Sequence, residues 1–224
     1  FKNLAFLISG AHNVNFIKVR LSGMLAEVQV RNSIVKPHNR NGGRKETPLE
    51  ENAYVTEEEL EHAEQVRLST IRNAIRTFKR SVYANFSNGF TFLTLTFDAN
   101  KCNFDITDVT TCRKKFTYFW RNVTRAKELA NTSISFVYLG AIEFHQDGSV
   151  HFHVLCHIPR KYRELLKAKW HHGHLDFRRS RQNPLSVRKI ANYTKKGMFD
   201  RRLDGQKHRY LWSRNLKKSL TFEF

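Results

Sequence analysis

A chain of 224 residues that is 40% apolar and carries 18 phenylalanines can bury a sizeable core, so a disordered or fibrous polymer is excluded. Its 39 Lys and Arg stand against 20 Asp and Glu, and a net charge of +19 makes a polyanion, nucleic acid first, the expected partner. Three cysteines (Cys102, Cys112 and Cys156) without CxxC spacing fit a reducing cytoplasm rather than a disulfide framework or a cysteine zinc site. No apolar run approaches the roughly 20 residues needed to cross a bilayer.

The charge is uneven. From His151 to Phe224 there are 19 Lys/Arg and 5 acids, against 20 and 15 in the first 150 residues. The partner is therefore expected along surfaces built mainly by the last third.

Taken in chain order, Val14 to Leu21 and Leu25 to Val30 read as a hairpin turning at Ser22-Gly23. The stretch from Lys36 to Pro48 is a polar, Gly-containing linker. Thr56 before Glu57-Glu58-Glu59 is a capping box, and Leu60, Ala63, Ile71, Ala74, Ile75, Phe78 and Val82 recur at helical spacing. These predict a helix over 57–84 that acts as a brace or arm. Phe90 to Phe97 is aromatic and β-branched, a strand. A helix over 107–130 follows, then strands over 133–144 and 150–158, the latter ended by Pro159. A short helix near 160–169 leads into a polar loop rich in His, Arg and Asn. Pro184 and Ser186 open a further helix that Gly197 should close, and a basic tail ends in a strand from Ser219 to Phe224. The sum is an α+β fold: a central, mainly antiparallel sheet with helices packed on one side and one further helix, the one bearing Tyr193, on the other.

His151-Phe152-His153 sets two imidazoles two residues apart on a strand, so both emerge on one face while Phe152 points into the core. Alone, such a pair is more often exposed decoration than a ligand set. The preceding turn changes that balance. A two-residue Asp147-Gly148 turn would put Glu143 on the wrong side. A three-residue turn, with Gln146-Asp147 in type I geometry and Gly148 left-handed, pairs Glu143 directly with His151. Glu143, His151 and His153 then form a cluster of two nitrogens and one carboxylate, suited to Mn²⁺ or Mg²⁺ at a phosphate site, though Zn²⁺ or Fe²⁺ would also fit. His145 is placed at the mouth and His157 in the structure. A rival set, His171, His172 and His174, has no obvious fourth zinc ligand nearby and reads better as a loop near DNA or the active site.

On the helix from Ser186 to Gly197, Val187, Ile190, Ala191 and Thr194 make the buried stripe and Tyr193 lies at its edge. Lys196 at i+3 and Lys189 at i−4 flank the phenol, where a cation favours phenolate and can hold a phosphate oxygen. An isolated helix of this kind would more often carry an ordinary packed tyrosine.

Phe92-Leu93-Thr94-Leu95-Thr96, then Glu143 with His151-Phe152-His153, then Tyr193-Thr194-Lys195-Lys196 occur in the order of the three motifs of the HUH endonucleases. The set resembles the rolling-circle replication initiators (Rep) of small plasmids and filamentous phages. Trp170 with Gly173, and the stretch from Tyr210 to Lys217, add to the likeness, which spans roughly 70–218. Residues 1–55 resemble nothing that can be named and read as an N-terminal strand and loop extension to a nicking domain over 56–224. The resemblance implies a ferredoxin- or RRM-like palm, Tyr193 as nucleophile, Lys196 as its helper, and a 5′-phosphotyrosine intermediate. It also implies sequence-specific nicking and joining of single-stranded or hairpin origin DNA, with a host helicase and polymerase as partners. Arg178, Arg179, Arg181, Lys189 and Arg214 are the expected DNA contacts. Where some phage-type members carry a second tyrosine one turn away, this chain has Lys189 and Gly197, so a second subunit of a homodimer or an activated water would serve the second transfer. A conjugative relaxase or single-tyrosine transposase would use the same chemistry; a non-catalytic nucleic-acid-binding protein is the alternative of another class.

Overall fold

The computed structural model describes residues 16–31, 56–180, 184–193 and 196–223. The first hairpin, β1 (Phe16–Ser22) and β2 (Leu25–Arg31), turns at Gly23, whose φ of +57° only glycine adopts cheaply. A Cβ there would overlap the carbonyl oxygen of Tyr83, so the turn can sit directly on helix α1 (Glu57–Phe86). Residues 14 and 15 and the linker over 36–48 lie outside the described residues.

The expected start of α1 is confirmed in detail: Thr56 accepts from the Glu59 amide at 3.3 Å and the Glu59 carboxylate accepts from the Thr56 amide at 3.0 Å. The helix buries Ile71, Phe78, Val82 and Phe86. It is a covering layer of the sheet rather than a free arm.

The remaining elements are β3 (Phe90–Thr96), α2 (Val109–Thr124), β4 (Tyr138–Phe144), β5 (Val150–Cys156), α3 (Arg163–Lys169), β6 (Leu175–Ser180), α4 (Pro184–Tyr193), β7 (Tyr210–Trp212) and β8 (Leu220–Glu223). Five of the strands form an antiparallel sheet in the order β6-β3-β5-β4-β7, and the small sheet runs β2-β1-β8. An α+β architecture built on an antiparallel sheet is therefore what the chain adopts.

Alternation along the strands sorts the sheet into two faces. On one, Val150, Phe152, Val154 and Cys156 of β5 meet α2 and α3 through Phe116, Phe119, Trp120 and Leu166. On the other, Leu155, Leu139 and Phe90 meet α1 and α4 through Phe78, Val82, Val187 and Ala191. Helices therefore cover both faces, and α1 shares its face with α4, which corrects the expectation of one helical side.

Two strands lie where the sequence alone predicts none. The segment expected to be a polar loop contains β6, whose Leu175 and Phe177 pair opposite Leu95 and Leu93. The tail contains β7, which pairs Tyr210 with Ala141 and Trp212 with Leu139. No helix among the described residues is long and apolar enough to cross a membrane.

Candidate active site

The β4–β5 turn takes the three-residue form. The Gly148 amide donates to the His145 carbonyl at 3.0 Å, the His145 amide donates to the Ser149 carbonyl at 2.9 Å, and Gly148 has φ +86°. Asp147 braces the turn by accepting from the Ser149 amide at 2.9 Å and the Ser149 hydroxyl at 2.7 Å. The register that follows pairs Glu143 with His151 and Ala141 with His153. On the other flank, β3 pairs Thr96 with His151 and Thr94 with His153.

Glu143, His151 and His153 consequently converge, with ligand atoms within 4.8 Å of one another. Glu143 Oε2 lies 3.5 Å from Nε2 of His151 and 3.3 Å from Nε2 of His153. The imidazoles are only 7% and 8% exposed. Burial pushes the Glu143 carboxyl up, but hydrogen bonds and charge from the two histidines outweigh it and bring it down to about 2. The group is thus an anion at neutral pH, as a ligand must be.

A donor set of two imidazoles and one carboxylate fits a divalent cation. Two buried atoms, Glu143 Oε1 and His151 Nδ1, have no hydrogen-bond partner in the protein, as expected of groups arranged for something other than each other. The three residues could hold a metal ion, and among the described residues they are the one such cluster.

The ring of His153 is oriented from behind. Its Nδ1 lies 3.2 Å from the Thr94 hydroxyl, and Phe92 stacks on it with centroids 5.3 Å apart. Thr94 thereby leaves Nε2 facing Glu143, the kind of outer contact that fixes a ligand's tautomer. The sequence places Thr94 in a motif without marking it for this task. His145 stacks on His151 at 4.1 Å, and burial with the neighbouring His151 lowers its pKa. His157 lies away from the cluster, its Nε2 2.9 Å from the Asn85 carbonyl and its ring stacked on Phe86, as expected of a structural histidine.

The rival histidines do not assemble. His172 is packed among Phe97, Phe104 and Trp170, and its burial pushes the imidazolium down to about 4. Its carbonyl accepts from the Asp98 amide at 2.9 Å, and the His174 carbonyl accepts from the Thr96 amide at 3.0 Å. Gly173 is required there because a Cβ would overlap the Thr96 carbonyl. This segment braces the end of β3 rather than forming a second ligand set.

Tyr193 is the last residue of α4, on the same face of the sheet as the cluster, since Val187 and Ala191 of α4 pack with Leu155. Residues 194 and 195 lie outside the described residues. The chain reappears at Lys196, which is exposed, and at Gly197, where a Cβ would overlap the Ile142 carbonyl and fall 2.9 Å from Glu143 Cγ. The sequence predicts only a helix stop at Gly197. In the fold it lets the end of the tyrosine segment rest on a member of the histidine and carboxylate cluster. Four residues separate Tyr193 from Gly197, so their Cα atoms are within about 14 Å.

Of the expected DNA contacts, Lys189 and Arg214 are exposed. Arg178 and Arg179 are on β6, not in a loop. Arg178 is 79% exposed and ion-paired with Asp176 at 2.7 Å, while the Arg179 backbone pairs with Thr91. Arg181 lies outside the described residues.

Residues 90–198 match the family model of replication-associated proteins of the ORF2 and gene 2 protein type. The match opens on the first residue of β3 and ends one residue past Gly197, so it takes in Thr94, the three clustered residues, α4 and the turn seated on Glu143. It is consistent with a replication initiator of the Rep type. No curated protein and no solved structure matches the chain.

Proposed function

We propose that this protein is a metal-dependent, single-tyrosine enzyme that nicks and rejoins single-stranded origin DNA to initiate rolling-circle replication. The observation that carries the reading is the convergence of Glu143, His151 and His153 inside the segment matched to replication-associated proteins, with the turn after the tyrosine helix seated on Glu143.

Glu143, His151 and His153 would hold a divalent ion, Mn²⁺ or Mg²⁺, which when bound supplies Lewis-acid polarisation of the scissile phosphate and a template for its orientation. Tyr193 loses its phenolic proton and its oxygen attacks the phosphorus in line. The bond from phosphorus to the 3′ oxygen breaks, and that oxygen takes up a proton. The products are a 5′-phosphotyrosine and a free 3′-hydroxyl. Lys196 steadies the phenolate or a phosphate oxygen by charge. One phosphodiester replaces another, so the step is reversible and the same residues rejoin strands.

The test is a denaturing gel with oligonucleotides labelled separately at each end, followed by mass spectrometry of the adduct peptide. Wild-type protein with Mn²⁺ should yield an adduct on the 5′ side of the break. Tyr193→Phe removes one oxygen, so it should lose the adduct while keeping its melting temperature, metal binding and single-strand binding. An adduct that persists in that variant, or maps to another tyrosine, defeats the assignment. If no origin sequence or metal yields an adduct with wild-type protein, the chain is a binding module.

A further inference from the structure

The turn that follows α4, Gly197–Phe199, joins two properties that rarely coincide. Its backbone is held with unusual completeness. Arg209, only 8% exposed, donates through Nη1 to the Met198 carbonyl at 3.0 Å and the Asp200 carbonyl at 3.3 Å. Between them, the Phe199 carbonyl accepts from Arg67 Nη2 at 2.8 Å. Three successive carbonyls are thus each held by a guanidinium. The two arginines are in turn joined through Asp204, which accepts from Arg67 Nε at 2.9 Å and from Arg209 Nη2. Arg67 comes from α1 and Arg209 from the residue before β7, so the turn is fixed from both sides.

Despite that, the turn presents an aromatic ring to solvent. Met198 is wholly buried, while Phe199 next to it is 45% exposed. A single exposed apolar side chain is ordinary on a protein surface. This one is different because its backbone has no freedom to fold the ring inward, and because it lies two residues from Gly197, which touches Glu143. Arg201, two residues further on, is 75% exposed, with a surface ion pair to Glu64 at 3.3 Å. An exposed ring beside an exposed guanidinium is the pairing that grips single-stranded nucleic acid, the ring by stacking a base and the cation by neutralising a phosphate.

We propose that Phe199 is a nucleobase-stacking platform at the edge of the metal cluster, with Arg201 contacting the adjacent phosphate of the same strand. The inference rests on single-stranded DNA being the substrate, and it adds to that reading a defined base subsite next to the cleavage point. The Arg67–Asp204–Arg209 clamp is then the device that holds the platform still.

The experiment uses the full chain and a fluorescein-labelled oligothymidylate, read by anisotropy in EDTA so that cleavage plays no part. Phe199→Ala should weaken binding about 5- to 100-fold, the range of one lost aromatic stack. Phe199→Trp should restore it, with quenching of the added indole emission on binding. Arg201→Ala should lower the slope of log affinity against log salt by about 0.7. The melting temperature should not change in any of the three, because the side chains replaced are exposed. Wild-type binding with Phe199→Ala within twofold of it overturns the platform and leaves the nicking reading standing. Failure of the wild-type protein to bind any single strand overturns both.

Discussion

The two faces of β5 are built from alternate residues of one strand and could hardly differ more. Val150, Phe152, Val154 and Cys156 are fully buried in an aromatic layer, with Phe116 and Phe152 rings 5.4 Å apart and Phe97 and Trp170 rings 5.0 Å apart. Burial pushes the Cys112 and Cys156 thiols up to about 12, so they are inert there. One residue over, His151 and His153 face Glu143 and Thr94, with buried polar atoms left unmatched. An unmatched polar atom costs stability. The dry face supplies the rigidity that keeps the polar face in a geometry it would not choose on its own.

That division of labour can be broken from either side. His153→Ala should abolish divalent metal binding, read by calorimetry, and with it nicking, while leaving the melting temperature within a few degrees of wild type. Its neighbour Phe152→Ala should do the reverse: a loss of about 3–5 kcal/mol in denaturant unfolding, with metal binding retained in whatever fraction stays folded. Should His153→Ala unfold the protein, or Phe152→Ala leave stability intact, the two faces are not the separate devices they look to be.

A smaller effect is expected at Gly197. Alanine there must displace either the Ile142 carbonyl or the turn itself, so nicking should fall by about 100-fold, the cost of an ångström of misplacement at a reacting centre. Circular dichroism and metal affinity should change little. Equal activity in Gly197→Ala would mean that the seating on Glu143 has no catalytic consequence.

The smallest prediction compares histidines across the sheet. His172 belongs to the dry side, and its folded pKa of about 4 lies below its ordinary value. The unfolded chain therefore binds the proton that the folded chain refuses, and stability falls as pH drops from about 6.5 towards 4, on the order of 1–3 kcal/mol. His172→Gln should flatten that part of the profile of melting temperature against pH. An unchanged slope would show that His172 is not held neutral by the aromatic layer.

Much of the site is legible in the sequence because its determinants are local. Gly148 after Gln146-Asp147 sets the hairpin register, and the register alone brings Glu143 beside His151. Thr56 and Glu59 mark the start of α1 for the same reason. What escapes is non-local. β6 has only two inward apolar residues among charges, Leu175 and Phe177, and becomes a strand by adding to the edge of β3. β7 is three residues long and exists because β4 offers it a partner. Gly197 carries no mark that separates a helix stop from a close approach to another strand. Arg67 and Arg209 are two arginines among many until the fold joins them through Asp204.

The small sheet has a consequence for how the molecule is made. β1 hydrogen-bonds to β8, with Ser22 and Ser219 hydroxyls 2.7 Å apart and Lys18 ion-paired with Glu223. On a ribosome the first hairpin emerges early, yet one edge of β1 stays open until nearly the last residue described has left the tunnel. Pairings of such long sequence separation form late, because loop closure must be completed before they reward the chain. The histidine and carboxylate cluster and the turn seated on it come from residues 143–197, all of them translated before β8. The central sheet can therefore form while the growing chain is still tethered, and the molecule closes from its middle outwards, joining its two ends last.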